Sequence, residues 1–479
     1  MAVGKIRNMI QRGKVHTAIL AGGFGTRTDA ISDKARNKWA ISKPTCPVGN
    51  LRIIEFSIRG LRNIGVERFN LLVCHLPETI RHVIGDGKIY GKNVEIRELE
   101  ELPTDPLDTA GAVGRLAHNR GWANNPGDVV IIPSTDIVHT VDMEKLLDVH
   151  LFNREKHGAV ATIVTNPVPW DEVARFGTVN MEGMPRREDC KSDIEFEDKV
   201  GAWIVDHQSA SAKILEFREK KPRTLSKEER KKMTEEEYCR NLCLSNLNNS
   251  SIYVLEASFF RTLLPMLTKR NSSLPLIPEL YQPGSATPFS DFGRHVFKWL
   301  TEDAQRKKYP FYAYIMSEKE YWRDAGNGEE LRLANMDVLD GRLDTGLKEG
   351  EGTFWSRAEN ESWHGRNVFI HPSAYVSRSL IGDNVIIGPD ARIIHSVIGS
   401  GTEVKEGVQM WGTVIFPKHR DKKEQNVIGA NSQITDSLYL GGSLIPRSKH
   451  RNVELYDPVG GLAIGSLLGQ TRYLMPEGK

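Results

Sequence analysis

The sequence predicts an α/β fold in which a parallel sheet layered by crossover helices is followed by a coil of short parallel strands. Two observations lead there. Short β-branched runs alternate with helical patterns from His16 to about Asn166, and after Gly365 apolar residues recur every five or six positions, often just ahead of a glycine. The length leaves room for both parts, since 479 residues correspond to about three domains at ~150 residues each.

Residues 17–20, 70–74, 93–99, 129–132 and 159–165 read as strands, because Val, Ile and Leu run through them almost without interruption, as in strands buried on both faces. Between them, 55–63 carries Ile58 and Leu61 three apart, 109–119 carries Ala110, Val113 and Leu116, and 142–152 opens on an Asp cap. These segments read as crossover helices. They make the sheet parallel and place ligands at the carboxyl ends of its strands. Residues 217–240 hold fifteen charged side chains in twenty-four and read as a solvated insertion or surface helix. The strand pattern resumes at Ile252, Tyr253, Val254 and Leu255, followed by a helix over 259–267 and a strand over 311–316. The first unit, 1–339, closes near Leu339.

A polar, Gly-rich linker occupies 340–365, and 366–479 forms the second unit. There, Ile370, Val376, Ile381, Ile387, Ile393, Ile398 and Val404 are spaced five or six apart, and Ile428-Gly429 resumes the pattern after an interruption. One inward aliphatic and one small turn residue per six positions is the signature of a parallel β-helix.

Composition narrows the function. Lys and Arg number 64 and Asp and Glu 62, for a net charge of +2, so nothing global points to nucleic acid or an anionic membrane. No stretch approaches the roughly 18 apolar residues of a membrane span, and the apolar run 17–21 is too short for a signal peptide. Five cysteines without a CxxC pair fit reduced thiols, and the expected location is the cytoplasm.

The candidate chemistry begins at Ala21-Gly22-Gly23-Phe24-Gly25-Thr26-Arg27, directly after the first strand. Its backbone N–H groups can approach phosphates, and Arg27 offers a guanidinium fork. It matches neither the dinucleotide fingerprint nor a Walker loop, because Thr28 stands at the third glycine of the former and no Gly-Lys-Ser/Thr follows. Lys43 precedes Pro44 and Pro47, where a stiff backbone can aim it at a phosphate. Asp136, just past the fourth strand, and Asp324, in an aromatic-flanked turn, are carboxylates suited to a hard cation; Mg²⁺ typically takes one or two of these and fills its shell with substrate oxygens. The bland alternatives are a generic turn for the glycine loop, a solvated lysine at 43 and a turn cap at 136. No Ser-His-Asp or Cys-His set is evident, so the ensemble describes phosphoryl or nucleotidyl transfer without a covalent intermediate.

Together with Lys43-Pro44-Thr45-Cys46-Pro47-Val48 and the C-terminal repeat, these residues resemble the sugar-nucleotide pyrophosphorylases, the sugar-1-phosphate nucleotidyltransferases. Arg52-Ile53-Ile54-Glu55-Phe56, Asp291-Phe292-Gly293, Tyr321-Trp322-Arg323-Asp324 and Ala334-Asn335-Met336-Asp337 are most similar to members that join ATP to glucose 1-phosphate. The resemblance implies a Rossmann-like, mostly parallel catalytic domain followed by a left-handed parallel β-helix. It implies that Ala21, Gly22, Gly23, Gly25, Thr26, Arg27, Lys43, Thr109 and Ala110 bind the nucleotide, with Arg27, Lys43 and Asp136 catalytic. Glu219, Lys220, Ser250 and Asp291 would bind the sugar phosphate, with Lys220 and Lys221 competing for the phosphate. Asp136 and Asp324 would hold Mg²⁺. A homo-oligomer, in this family a tetramer, and control by a phosphorylated metabolite are also implied by the resemblance, with Lys34, Arg36, Lys38 and Arg52 as contributors to the latter or, alternatively, solvated loop charges.

Several positions depart from the family pattern: Thr28 for leucine, Asp108 and Thr135 for glycine, Asn327 for threonine, and Glu100-Glu101-Leu102-Pro103 for a glutamine-rich stretch. They leave open a different base or sugar, or a catalytically weak regulatory subunit. An acyltransferase acting on the repeat is disfavoured, because His371 and His395 read as turn residues.

Overall fold

The computed structural model describes residues 2–22, 42–102, 105–270, 272–282, 288–347, 356–357, 359–417, 426–439, 443–444, 446–456, 463–466 and 471–473. The chain enters through the helix Ala2–Gln11, which buries Ile6 and Met9. The first predicted strand is two: Val15–Thr17 pairs in parallel with Val129–Pro133, while Ile19–Ala21 pairs in parallel with Arg68–Val73. Arg68–Val73 in turn pairs with Glu95–Glu100. Leu20 still bridges to Ser134, so both sheets leave the chain at a common edge.

The expected crossover helices form as Ile53–Asn63, Asp108–Asn119 and Met143–His157. Asp142 caps the last of these, its carboxylate accepting from the Lys145 N–H at 2.9 Å.

The expectation of a parallel sheet holds for this first part and fails beyond it. In the seven-stranded sheet, Leu247–Glu256 runs antiparallel to Val129–Pro133 and to Ala161–Pro167, and Gly177–Met181, Ser211–Glu219 and Phe311–Ile315 pair antiparallel in sequence. Only Phe311–Ile315 with Ala161–Pro167 repeats the parallel arrangement. The physical reason is that continuous apolar runs report burial on both faces, which two covering layers impose on strands of either direction. Two apolar clusters fill those layers, one around Phe260, Phe297 and Phe311 and one around Ile54, Ile131 and Leu146. The charged segment 217–240 also divides: its first residues complete the strand Ser211–Glu219, and only Lys227–Arg230 and Glu235–Arg240 are helical. The helix expected over 259–267 is short, Phe260–Leu263.

After the helix Gly328–Leu339, successive two- to four-residue strands pass in rotation through three sheets. Trp363, Leu380, Val397, Val414 and Leu438 stack in one parallel sheet. Tyr375, Arg392, Gln409, Gln433 and Lys449 stack in another. This rotation is compatible with a β-helix. From Ser362 to Thr413 the round is 17 residues, visible in a buried hydroxyl ladder where Ser379, Ser396 and Thr413 each donate a backbone N–H to the hydroxyl 17 positions earlier. Corners use Asn367, Asn384 and Asp390 in the left-handed region, residue types that tolerate it. At Gly399 a Cβ would lie 2.2 Å from Pro417 N, so only glycine allows consecutive rounds to meet.

Candidate active site

The edge where Ile19–Ala21 and Val129–Pro133 end gathers the first group of candidate residues. Ala21 is buried opposite Val73. A Cβ on Gly22 would sit 3.1 Å from Cys74 Cβ and 3.3 Å from Cys74 N, a tight fit directly after the strand. Gly23, Gly25, Thr26 and Arg27, with Thr28, Lys34, Arg36 and Lys38, lie outside the described residues. Past Val129–Pro133, Thr135 clasps the neighbouring strand end, its N–H and hydroxyl both donating to Leu20 O at 3.0 and 2.8 Å. The hydroxyl contact is what threonine adds at a position expected to carry glycine, and it helps fix the loop from which Asp136 projects.

Lys43 opens a 3-10 turn, Lys43–Thr45, held by Thr45 N–H to Ser42 O and Cys46 N–H to Lys43 O. Its side chain is 7% exposed, and Nζ lies 3.3 Å from Asp136 Oδ1, a carboxylate half open to solvent. A buried ammonium with a half-exposed acid is a cation aimed out of the protein. Asp324 joins from the strand Trp322–Asp324, antiparallel to Ile137–His139, and Ala325 N–H donates to Asp136 O at 3.1 Å. The two aspartates therefore sit on adjacent chain legs. A Cβ on Gly326 would lie 2.9 Å from both Asp324 carboxylate oxygens, so the glycine after Ala325 keeps that carboxylate's place open. Asn327 caps Gly328–Leu339 by accepting from Glu330 N–H at 2.9 Å, work that a threonine also does.

A second group forms across the strand Leu247–Glu256. Thr109 donates to Asp291 Oδ2 at 3.1 Å and accepts from Phe292 N–H at 3.0 Å. The Ala110 and Gly111 N–H groups both donate to Ser290 O, at 2.9 and 3.0 Å. Asp108 adopts φ +63°, the conformation glycine favours, and its carboxylate receives Arg294 Nη2 at 2.7 Å. Burial and the neighbouring Asp291 push the Asp108 carboxyl above the usual range. Glu219 is raised too, by burial, with Lys220 opposing. Its Oε2 would lie 2.7 Å from a Cβ on Gly177 and 2.9 Å from one on Gly293, so two glycines make its slot.

The two lysines expected to compete for the phosphate are placed differently. Lys220 Nζ stands 3.9 Å from Glu219 Oε1 and is more than half exposed, whereas Lys221 Nζ donates to Asn241 Oδ1 at 3.2 Å. Ser250 is fully buried and its hydroxyl donates to Asn248 Oδ1 at 2.7 Å, so its contribution is to shape the strand rather than offer a hydroxyl. Its carbonyl accepts the Trp322 indole N–H at 3.1 Å, tying the second group to the first.

A family model described as nucleotidyl transferase matches residues 16–341, spanning both groups. The chain belongs to the nucleotidyl transferase family. It is similar over 446 residues to proteins named glucose-1-phosphate adenylyltransferase from Bacillus thuringiensis and Bacillus cereus, each 26% identical, covering 90% of this chain and 96% of each relative. One from Bacillus anthracis is 25% identical over the same span.

In this nucleotidyl transferase the donor set fits a hard divalent cation. Asp136 and Asp324 supply carboxylate oxygens, the donor type such a cation takes once or twice beside water and substrate oxygens; among the described residues no group of three or more His, Cys, Asp or Glu that could hold a metal ion is found. No helix among the described residues is long and apolar enough to cross a membrane.

Sequence reasoning missed Arg175. Its guanidinium holds Asp324 Oδ2 at 3.0 Å and Glu330 Oε1 at 2.8 Å. Glu330 also receives Arg323, which reaches Asp337, a carboxylate that is almost wholly buried and further held by Tyr321 OH at 2.6 Å. Locally Arg175 shows only an ordinary pair with Glu172 three residues before it, at 2.6 Å; the partners that tie it to the site, Asp324 and Glu330, are about 150 residues away in the chain.

Proposed function

We propose that this nucleotidyl transferase makes a nucleotide sugar and pyrophosphate from a nucleoside triphosphate and a sugar 1-phosphate, with ATP and glucose 1-phosphate as the pair and ADP-glucose as the product. The observation that carries it is the juxtaposition of buried Lys43 with Asp136 at the strand ends, one rung from Asp324, with Glu219 and Lys220 beyond two intervening strands of the same sheet. The names of the Bacillus relatives support the choice of base and sugar.

A phosphate monoester has a second pKa of about 6, so the sugar phosphate arrives mostly as a dianion and no general base is needed. One of its oxygens attacks the α-phosphorus in line; the bond from that phosphorus to the bridging oxygen breaks, and pyrophosphate leaves with the electron pair. Lys43 faces the nucleotide phosphates, Lys220 the sugar phosphate, Glu219 and Asp291 the sugar hydroxyls, and the backbone of Ala21 to Thr26 with Arg27 the departing pyrophosphate. Asp136 and Asp324 would hold Mg²⁺, which when bound supplies neutralisation of phosphate charge. The rate enhancement is then orientation and preorganised positive charge.

In this reading 1–339 is the catalytic unit, 340–365 a linker and 366–479 a left-handed β-helix whose lateral faces pair copies into a cytoplasmic homotetramer. The test is pyrophosphate release with Mg²⁺ and glucose 1-phosphate, offering ATP, GTP, UTP and dTTP separately, then other sugar phosphates. Selective turnover with ATP is expected. Turnover with another pair would overturn the base and sugar, and silence across the panel would overturn the activity in favour of a catalytically weak regulatory subunit.

A further inference from the structure

The strands Val15–Thr17, Arg68–Val73 and Val129–Pro133 end near the candidate catalytic residues and begin at the opposite edge of the sheets. Five residues of strand span ~17 Å, so what lies at the beginning edge is remote from the chemistry. A cavity of about 800 Å³ lies there. Its wall receives Arg7 from the first helix, Arg62 from Ile53–Asn63, Arg68 from the start of Arg68–Val73, Arg97 from Glu95–Glu100, and Arg120 just past Asp108–Asn119.

Five guanidiniums from five elements face one lining carboxylate, Glu67. Arg97 is matched by Glu95 outside the lining, at 2.6 Å, and Arg62 reaches Glu67 at 3.5 Å while donating to Tyr90 O and Val66 O. Glu95 is also felt electrostatically by Arg68 and Arg120, so two carboxylates, Glu67 and Glu95, stand against the five guanidiniums, and no ion pair of Arg7 is formed among the described residues. Like charges held together in a concavity repel unless an anion joins them, and guanidinium forks match phosphoryl oxygens in pairs. The back of the cavity is rigid. His16 stacks on Trp122 at 4.6 Å and is bonded to Asp128 at 2.9 Å. Asn70, also lining, is buried with its carboxamide oxygen unpartnered. The volume falls within the roughly 300–1,000 Å³ of small-molecule sites, too confined for a folded partner.

We propose that this cavity is a binding site for a small anion carrying two or more phosphoryl groups, separate from the nucleotide and sugar-phosphate positions. Titration calorimetry of the full chain with inorganic tripolyphosphate, without Mg²⁺ and in a Lys43→Ala background that weakens binding at the other edge, tests it. A saturable event at one equivalent per chain is expected, weakened roughly tenfold or more by Arg68→Gln with Arg120→Gln. Equal affinity with and without the arginine pair, or heat that scales only with ionic strength, would overturn it. These comparisons turn on Arg68 and Arg120 alone, so they stand even if the proposed reaction fails its own test. If the paired variant loses its cooperative melt, Arg7→Gln and Arg120→Gln taken singly, both exposed, carry the same test with a weakening of about threefold each.

Discussion

Replacing Asp136 by asparagine separates what the Lys43 pair does for the reaction from what it does for the fold. At 3.3 Å, and with an effective dielectric of ~20, two unit charges attract by about 5 kcal/mol, but the carboxylate is half open to water, and exposed pairs measure about 1 kcal/mol or less. The carboxamide keeps the shape and one oxygen for the ammonium, so the unfolding free energy in urea should fall by no more than about 1 kcal/mol. The effect on activity is larger, because the carboxylate would hold the cation that neutralises the phosphates: losing one preorganised electrostatic contact of that kind costs ~3 kcal/mol in the transition state, about a hundredfold in rate. The assay is pyrophosphate release at saturating substrate across a range of Mg²⁺, beside a urea melt of the same preparation. A rate within threefold of native would refute the assignment, and so would a stability loss large enough to explain the lost rate by unfolding.

The remaining predictions share that logic. Lys220→Ala should lower kcat/KM for the sugar phosphate by roughly tenfold to a hundredfold, while Lys221→Ala, whose ammonium is committed to Asn241, should stay within about threefold. Gly177→Ala puts a methyl 2.5 Å from the Phe217 ring and 2.7 Å from Glu219 Oε2; it should raise KM for the sugar phosphate and leave that for the nucleotide unchanged, which initial-rate kinetics will show. His139 is wholly buried against Ser57, and burial pulls its pKa from the ordinary 6.5 down to about 4. The unfolded chain therefore binds a proton there that the folded chain refuses between those values, so this contribution is complete above pH 6.5 and is lost as pH falls toward 4. Urea midpoints at pH 7 and 5 should reveal roughly 2 kcal/mol of acid sensitivity that a His139→Gln variant lacks; equal slopes in the two proteins would count against it.

The parts of the site that were legible in the sequence are those whose physics is local. Gly22, the stiff Lys43 turn and the loop bearing Asp136 follow a strand whose apolar run is unmistakable, and the repeat after Gly365 is legible because each round must bury the same faces. Asp142 announces its helix because capping acts over three residues. Strand direction was not legible past Ala161, since burial on two faces carries no sign of polarity. The division of the first strand at Ala18 was hidden for a similar reason, as one apolar run serves two sheets. Arg175 was invisible because its meaning lies in Asp324 and Glu330, far along the chain. Asp108 looked like a lost glycine; its positive φ and its bond to Arg294 show a residue that keeps the turn while adding a charge.

The apolar patch beneath Gly328–Leu339 has a consequence for anyone wishing to cut this chain. Phe56, Val138, Leu331 and Ala334 form one cluster with Leu380, Val397, Val414 and Leu438 of the rotating strands, and Arg332 donates to Gly412 O at 2.9 Å within it. The residues between Leu339 and Trp363 therefore tether surfaces that already share a dry seam. A truncation after Leu339 would leave that seam facing water, and the shortened protein should aggregate rather than behave as a module. Grafting the repeat of a distant relative would succeed only where its inward aliphatics present the same relief to Phe56 and Val138.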